Sequence, residues 1–334
     1  MSSSALPSNA KASFSNVLLN LSSDTTPVQY RLYYEALAKF NTNNQEVIQQ
    51  IRDDAYAEMD RQREEHIKSG QSLDTLELDE ATILTNSVKN YYFRFTDKRT
   101  LKISFKNHVN YWSNVKNSDG QYGVIKKGLD NLLSITHIAE FKNPDGTRTL
   151  KRINVFSQDT KTIGLNGTDS IELILNADFV PFLVMLTEIY KGAGYTSIPV
   201  ALLRNKRYES SFAILNLLLR YYKKAGKKSQ AFKFDLETFR KHTDTQNKYK
   251  TFKDLRVWYI EPAVKEISND PNMNLEVSFS KTGRKYTHVS FVFTITNRDQ
   301  DFAHMDDDLN LGNLVDMEVP DDENGYIEGE FEKL

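Results

Sequence analysis

Residues 247–296 read NKYKTFKDLRVWYIEPAVKEISNDPNMNLEVSFSKTGRKYTHVSFVFTIT. Phe252, Leu255, Tyr259, Ala263 and Ile267 recur at spacings of three and four, which puts them on one face of a helix. Two alternating runs follow. Leu275, Val277 and Phe279 point one way, and Val289, Phe291, Phe293 and Ile295 do the same on the return. Between the runs lies Lys281-Thr282-Gly283-Arg284-Lys285, a basic turn with the glycine a tight connection needs. A helix, a hairpin and a charged hairpin tip in this order spell a winged helix. That module lays a helix in the DNA major groove and the hairpin along the backbone.

Working back along the chain, the preceding elements complete the module. An apolar helix is expected from Ser210 to Lys224, carrying Phe212, Ile214, Leu215, Leu218, Leu219 and Tyr222. Phe232 to Phe234 reads as a short strand, and Asp235 caps a short helix through Lys241. The order helix, strand, helix, turn, helix, hairpin places a DNA-reading winged-helix domain at 197–298.

An earlier region, 81–196, has a related order. Ala81 to Phe95 is dense in aromatics, and Leu101 to Trp112 reads as a short strand leading into a helix. Tyr122 to Leu133 carries a helical apolar face, with Lys126 and Lys127 off it. Ile135–Phe141, the turn Asn143-Pro144-Asp145-Gly146 and Thr149–Phe156 read as a hairpin. Ser170–Leu175 is a further strand, and a helix is expected from Ala177 to Tyr190. This makes an N-terminal winged-helix domain of 25–196, with a helical extension at 25–72. The extension opens at Asp24-Thr25-Thr26-Pro27, a polar cap followed by proline. Its second helix, Gln45 to Lys68, has only a thin apolar stripe and should lie on a surface or against a partner chain. Residues 1–24, rich in Ser and Asn, read as a mobile arm. The fold class is α+β: two tandem winged-helix domains, an N-terminal helical extension and an acidic C-terminal tail.

A net charge of -2 hides a sharp asymmetry. Residues 201–300 hold 20 Lys and Arg against 10 Asp and Glu, whereas residues 301–334 hold one Lys and 12 acidic side chains. A basic block beside an acidic tail suggests a polyanion partner for the block. The tail, 299–334, is expected to be disordered, to dock a partner, or to compete for the basic surface. With no cysteine the chain has neither a disulfide nor a thiolate metal site. No apolar run is long enough for a membrane span, and the first residues lack a basic-then-apolar signal pattern. A cytoplasmic protein without membrane attachment is the expectation.

Several stretches are similar to the initiator (Rep) proteins of theta-replicating plasmids, which bind repeated origin sequences called iterons. They are Ser170–Asn176 with Phe179–Leu183, Arg207–Phe212, Tyr249–Leu255, Ile260–Ile267, and Gly283-Arg284-Lys285 followed by Val289–Phe291. The similarity runs from Ser170 to Ile295; residues 81–169 agree only in element order, and residues 1–80 are not covered. The resemblance implies two winged-helix domains, the C-terminal one reading bases and the N-terminal one serving dimer contacts and phosphates. It also implies double-stranded origin DNA and host replication proteins as partners, a homodimer in equilibrium with monomer, and repression of the chain's own gene. One departure matters: many relatives carry two or three basic residues in mid-helix, and here Arg256 is followed by Val257 and Trp258.

The expected DNA-binding residues are Lys250, Lys253 and Arg256 on the helix, Lys281, Arg284 and Lys285 on the wing, and Lys248, Lys206 and Arg207. Arg and Lys can read guanine or neutralise phosphate. A helical plot puts Lys250, Lys253 and Val257 away from the core and Arg256 nearer it, so Arg256 is expected to be partly structural. Lys206 and Arg207 precede a helix N-terminus, whose free N–H groups also favour phosphate. Tyr259 belongs to the core, and Trp258 is open between packing and base contact. No G-x-x-x-x-G-K-[ST] loop exists, and the six histidines show no paired spacing, so neither catalysis nor a cofactor is expected. The expected function is a non-enzymatic plasmid replication initiator. The alternatives are a winged-helix repressor and, further off, a DNA-nicking enzyme.

Overall fold

The computed structural model describes residues 6–7, 9–22, 24–112, 132–142, 147–162, 170–191, 195–222 and 229–296. The expected helix at 122–133 (apart from its last two residues), the turn at 143–146 and the acidic tail at 299–334 lie outside these residues.

The chain opens with two short strands, β1 (Lys11–Ser15) and β2 (Leu18–Leu21). Of the mobile arm expected at 1–24, this corrects the part at 11–21. The Ser- and Asn-rich composition conceals a few apolar residues, Ala12, Phe14, Leu18 and Leu21, that are all buried. Each large side chain so buried contributes about 1.5–3 kcal/mol, which is enough to hold a short strand against its entropy.

Helix α1 (Pro27–Lys39) begins with a capping box: Thr26 accepts the Gln29 N–H, and the Gln29 side chain accepts the Thr26 N–H. Its Glu35 is buried, where it accepts hydrogen bonds from His108 Nδ1 at 2.6 Å and Trp112 Nε1 at 3.0 Å and pairs with Lys39 at 3.2 Å. Burial alone would raise the Glu35 pKa, but these partners outweigh it and hold the carboxyl below its ordinary value. Helix α2 (Gln45–Lys68) packs its thin stripe, Ala55 and Met59, on Ile83 of α3 (Glu80–Arg94). The polar helix therefore covers a neighbour of its own chain.

Strand β3 (Thr100–Ser104) leads into α4 (Phe105–Trp112), as expected. Strands β4 (Thr136–Lys142) and β5 (Arg148–Asn154) form the expected hairpin. The hairpin is not, however, the wing of the first unit. It pairs with β2 in a sheet of order β2-β4-β5. The wing strands are β6 (Phe156–Thr162) and β7 (Ser170–Leu175), which form the sheet β3-β7-β6.

The helix expected over Ala177–Tyr190 is also corrected. The segment forms turns, a 3-10 turn at Val180–Phe182 and a single helical turn, α5 (Leu186–Ile189), with Met185 at φ 52°. Pro181 disfavours continuous helix, and consecutive side chains from Phe179 to Leu186 are buried, so the segment has no solvent face for an amphipathic helix to present.

Strand β8 (Tyr195–Pro199) pairs antiparallel with β1 and spans the expected domain boundary at 196/197. The second unit contains α6 (Glu209–Tyr221), β9 (Ser229–Asp235), α7 (Leu236–His242), a long helix α8 (252–268), β10 (Met273–Thr282) and β11 (Lys285–Ile295). Its sheet order, β10-β11-β9, is that of β6-β7-β3, with the last strand central in each. The two units are therefore topological repeats, the first interrupted by the β4-β5 insertion.

They share one continuous core. Tyr30 of α1 stacks on Phe212 of α6 at 5.0 Å. Arg220 of α6, buried, donates to the carbonyls of Asn16 and Leu18 and so clamps the β1-β2 turn. Lys241 of α7 pairs with Glu140 of β4, and Arg152 of β5 lies 3.9 Å from Asp244.

Candidate nucleic-acid interface

Helix α8 consists of an α turn at Phe252–Leu255, a π turn at Arg256–Ile260 and an α segment at Glu261–Ser268. Two features of the sequence account for the π turn. Pro262 has no N–H to give and its ring crowds the preceding turn. The buried residues Leu255, Tyr259, Ala263 and Ile267 recur every four positions, slower than the 3.6 of an α-helix, and an i→i+5 turn absorbs the mismatch. The Glu261 N–H accordingly bonds the Arg256 carbonyl.

The helix start is held from three sides. Thr251 is the N-cap, accepting the Asp254 N–H at 3.1 Å and donating its hydroxyl to Asp254 Oδ2 at 2.8 Å. Arg240 of α7 donates to the carbonyls of Thr245, Lys248 and Tyr249 at 3.0, 2.9 and 2.8 Å, fixing the loop between the two helices. That loop turns through left-handed residues at Asp244 and Tyr249, with φ of 50° and 54°. Phe252 stacks on Tyr286 at 4.1 Å and meets Phe279 edge-on at 5.2 Å, joining the helix start to the wing.

The wing is a tight hairpin in which Thr282 pairs with Lys285 across Gly283-Arg284. Gly283 sits at φ 62°, which a side chain would strain. Lys281, Arg284 and Lys285 are exposed there, and Lys281 Nζ lies 4.5 Å from the Tyr286 ring centroid. Lys250 and Lys253 are exposed at the helix start. These five cations occupy one connected surface, because the Phe252–Tyr286 stack brings helix start and wing root together.

The remaining expected residues have other placements. Arg256 donates Nε to Glu261 at 2.6 Å and lies 5.2 Å over Phe279, in keeping with a partly structural role. Lys248 pairs with Asp24 at 3.1 Å. Lys206 needs correction as a phosphate contact: it is 2% exposed and its ammonium is bound to Asp270 at 2.8 Å. Arg207 is exposed, but the backbone N–H groups just ahead of α6 are already occupied. Glu266 of α8 accepts the backbone N–H groups of Arg207 at 2.7 Å and Tyr208 at 3.2 Å, and the Ser211 hydroxyl at 2.7 Å. A carboxylate from another helix thus holds the segment that leads into α6, beside the helix end where a phosphate was expected. A groove of about 1050 Å³ runs here between the 201–208 segment and α8, lined by Arg207, Tyr208, Val257, Pro262, Lys265 and others.

Arg240, Glu266 and Asp270 were not singled out by sequence reasoning. A signal existed for Glu266: Tyr208, the residue just before α6, cannot cap with its side chain, so a partner for this segment had to come from elsewhere. Among the described residues no cluster of His, Cys, Asp or Glu suits a metal ion, and no helix is long and apolar enough to cross a membrane.

Fold and interface together define a tandem winged-helix protein. Within that class, residues 235–295, in the C-terminal unit, match the sequence family described as "Initiator Rep protein, WH2". Among solved structures the chain is similar to the crystal structure of Pi initiator protein in complex with iteron DNA. The TM-score is 0.54 at 15% identity, covering 86% of this chain and 98% of that one. No curated protein matches the chain in sequence.

Proposed function

We propose that this protein initiates plasmid replication by binding repeated origin DNA through α8 and the wing of its C-terminal unit. The observation that carries the reading is the joined cationic surface of Lys250, Lys253, Lys281, Arg284 and Lys285 on the unit that matches the initiator family. The solved structure it resembles is that of an initiator bound to iteron DNA, which supports DNA as the partner. Phosphate contacts from the wing set the register, and α8 enters the major groove to read bases. Arg256 supports α8 through Glu261 and Phe279, and Lys206 is left out of the surface because it is buried.

Several copies on adjacent repeats supply the binding energy to strain the neighbouring duplex. Bound copies recruit host replication proteins, and a dimeric form represses the chain's own gene. The deciding experiment is footprinting of the full chain on DNA flanking its gene, paired with a test of whether that DNA replicates when the protein is supplied. Repeated protected sites in register with the DNA helix, on a fragment that replicates autonomously, are expected. A single protected operator on a fragment that never replicates would make the protein a repressor. Nicking of supercoiled DNA carrying the site, with Mg²⁺ present, would overturn the non-enzymatic reading.

A further inference from the structure

The exposed face of α8 is not uniformly basic. Between Lys253 and Lys265 it presents Val257, 36% exposed, and Trp258, 69% exposed. Both sit in the π turn, the part of the helix whose backbone is set by Pro262 and by the buried Leu255, Tyr259 and Ile260 beneath. Their neighbour Arg256 is tied to Glu261 and Phe279 and does not project between them. Among the described residues Trp258 has no aromatic partner, although rings pack closely through the rest of this unit. Val257 and Trp258 are adjacent and stand on a fixed backbone, so they form a small apolar patch open to a ligand.

From this we infer that Val257 and Trp258 read the 5-methyl groups of thymine in the major groove. The inference rests on the reading proposed above, that α8 docks into duplex DNA. In the major groove, thymine is the base that offers an apolar group, and side chains recognise it by apolar contact. Charge favours DNA over a protein partner at this patch: Lys250 and Lys253 lie on the N-terminal side of the same helix, and Lys281, Arg284 and Lys285 beside it on the wing. In this chain specificity in mid-helix thus comes from methyl recognition, and the lysines hold the backbone. The preferred sites carry thymine where the π turn faces the base pairs.

The test uses the full chain and a duplex that it selects from a random-sequence library. Each thymine of that duplex is replaced in turn by deoxyuridine, which removes the methyl group and leaves base pairing intact. Affinity is measured for the wild type, Val257→Ala, Trp258→Ala and Trp258→Phe. The wild type should lose about fourfold at one or two thymines, the effect of one methyl returned to water. Val257→Ala or Trp258→Ala should bind the parent duplex more weakly and show no further loss at those same positions, whereas Trp258→Phe keeps part of the sensitivity. The salt dependence should be unchanged, since neither side chain neutralises a phosphate. Equal losses in wild type and variants, or no loss at any thymine, overturn the inference while leaving the docking of α8 intact. Variants that keep full discrimination but fail to support replication make the patch a protein-docking surface and overturn it too. Failure of the wild type to select any duplex overturns the proposed function as well, and is distinguishable by that.

Discussion

Lys206 and Arg207 are neighbours with the same charge, yet one is buried against Asp270 and the other is exposed. Their difference comes from α8, whose Glu266 and Asp270 reach across to the 206–211 segment. Removing these bonds by Glu266→Ala should cost about 1.5–3 kcal/mol, the range for hydrogen bonds to a charged group. Chemical denaturation reads this directly, and Glu266→Gln should recover part of it. His242 gives a second prediction. Burial, with help from Arg220 and Lys241, lowers its pKa from 6.5 to about 3. The unfolded chain therefore binds a proton that the folded one refuses between those values. Stability should fall as pH drops below about 6.5, by about 1.4 kcal/mol per pH unit from this group. Urea midpoints across that range should flatten for His242→Gln. Charge and residue type at these positions were plain in the sequence. Which charges would be consumed internally was not, because their partners lie 55 to 64 residues away.

Among the elements, the wing makes the clearest prediction. Lys281→Ala or Arg284→Ala should weaken binding to all duplexes alike and reduce the salt slope by about one for each phosphate no longer neutralised. An unchanged slope in a salt titration removes the residue from the footprint. The hairpin turn itself needs Gly283 at φ 62°, and Gly283→Val should destabilise the unit by about 1–2 kcal/mol in thermal melts. This wing was legible because Leu275, Phe279, Val289, Phe291 and Phe293 alternate strictly around a glycine turn. The wing of the first unit was not. Strand β6 is a sheet edge reading Phe-Ser-Gln-Asp-Thr-Lys-Thr, with one apolar residue to mark its phase. The better-patterned β4-β5 hairpin nearby drew the assignment instead. The π turn was half visible: Pro262 marked a break, and a four-residue recurrence of core positions marked the remedy.

For the molecule as a whole, charge and topology decide. If the acidic stretch shields the basic face, deleting residues 299–334 should raise affinity for non-specific duplex. No change would assign the stretch a separate role. The two winged helices were legible from element order, but their fusion was not, because β1 and β2 have too few residues to show a period. Residues 11–15 lie in register with 195–199, Lys11 opposite Pro199. This pairing has a consequence during synthesis. On the ribosome, Phe14 and its strand partners emerge long before the strand they pair with. At about 5–20 residues per second, the start of the chain waits roughly 10–40 s for β8. The first unit therefore cannot close as it is made, and its apolar leading segment is open to chaperones for that interval. The β1-β2 turn waits longer still, until α6 has been made and Arg220 can clamp it.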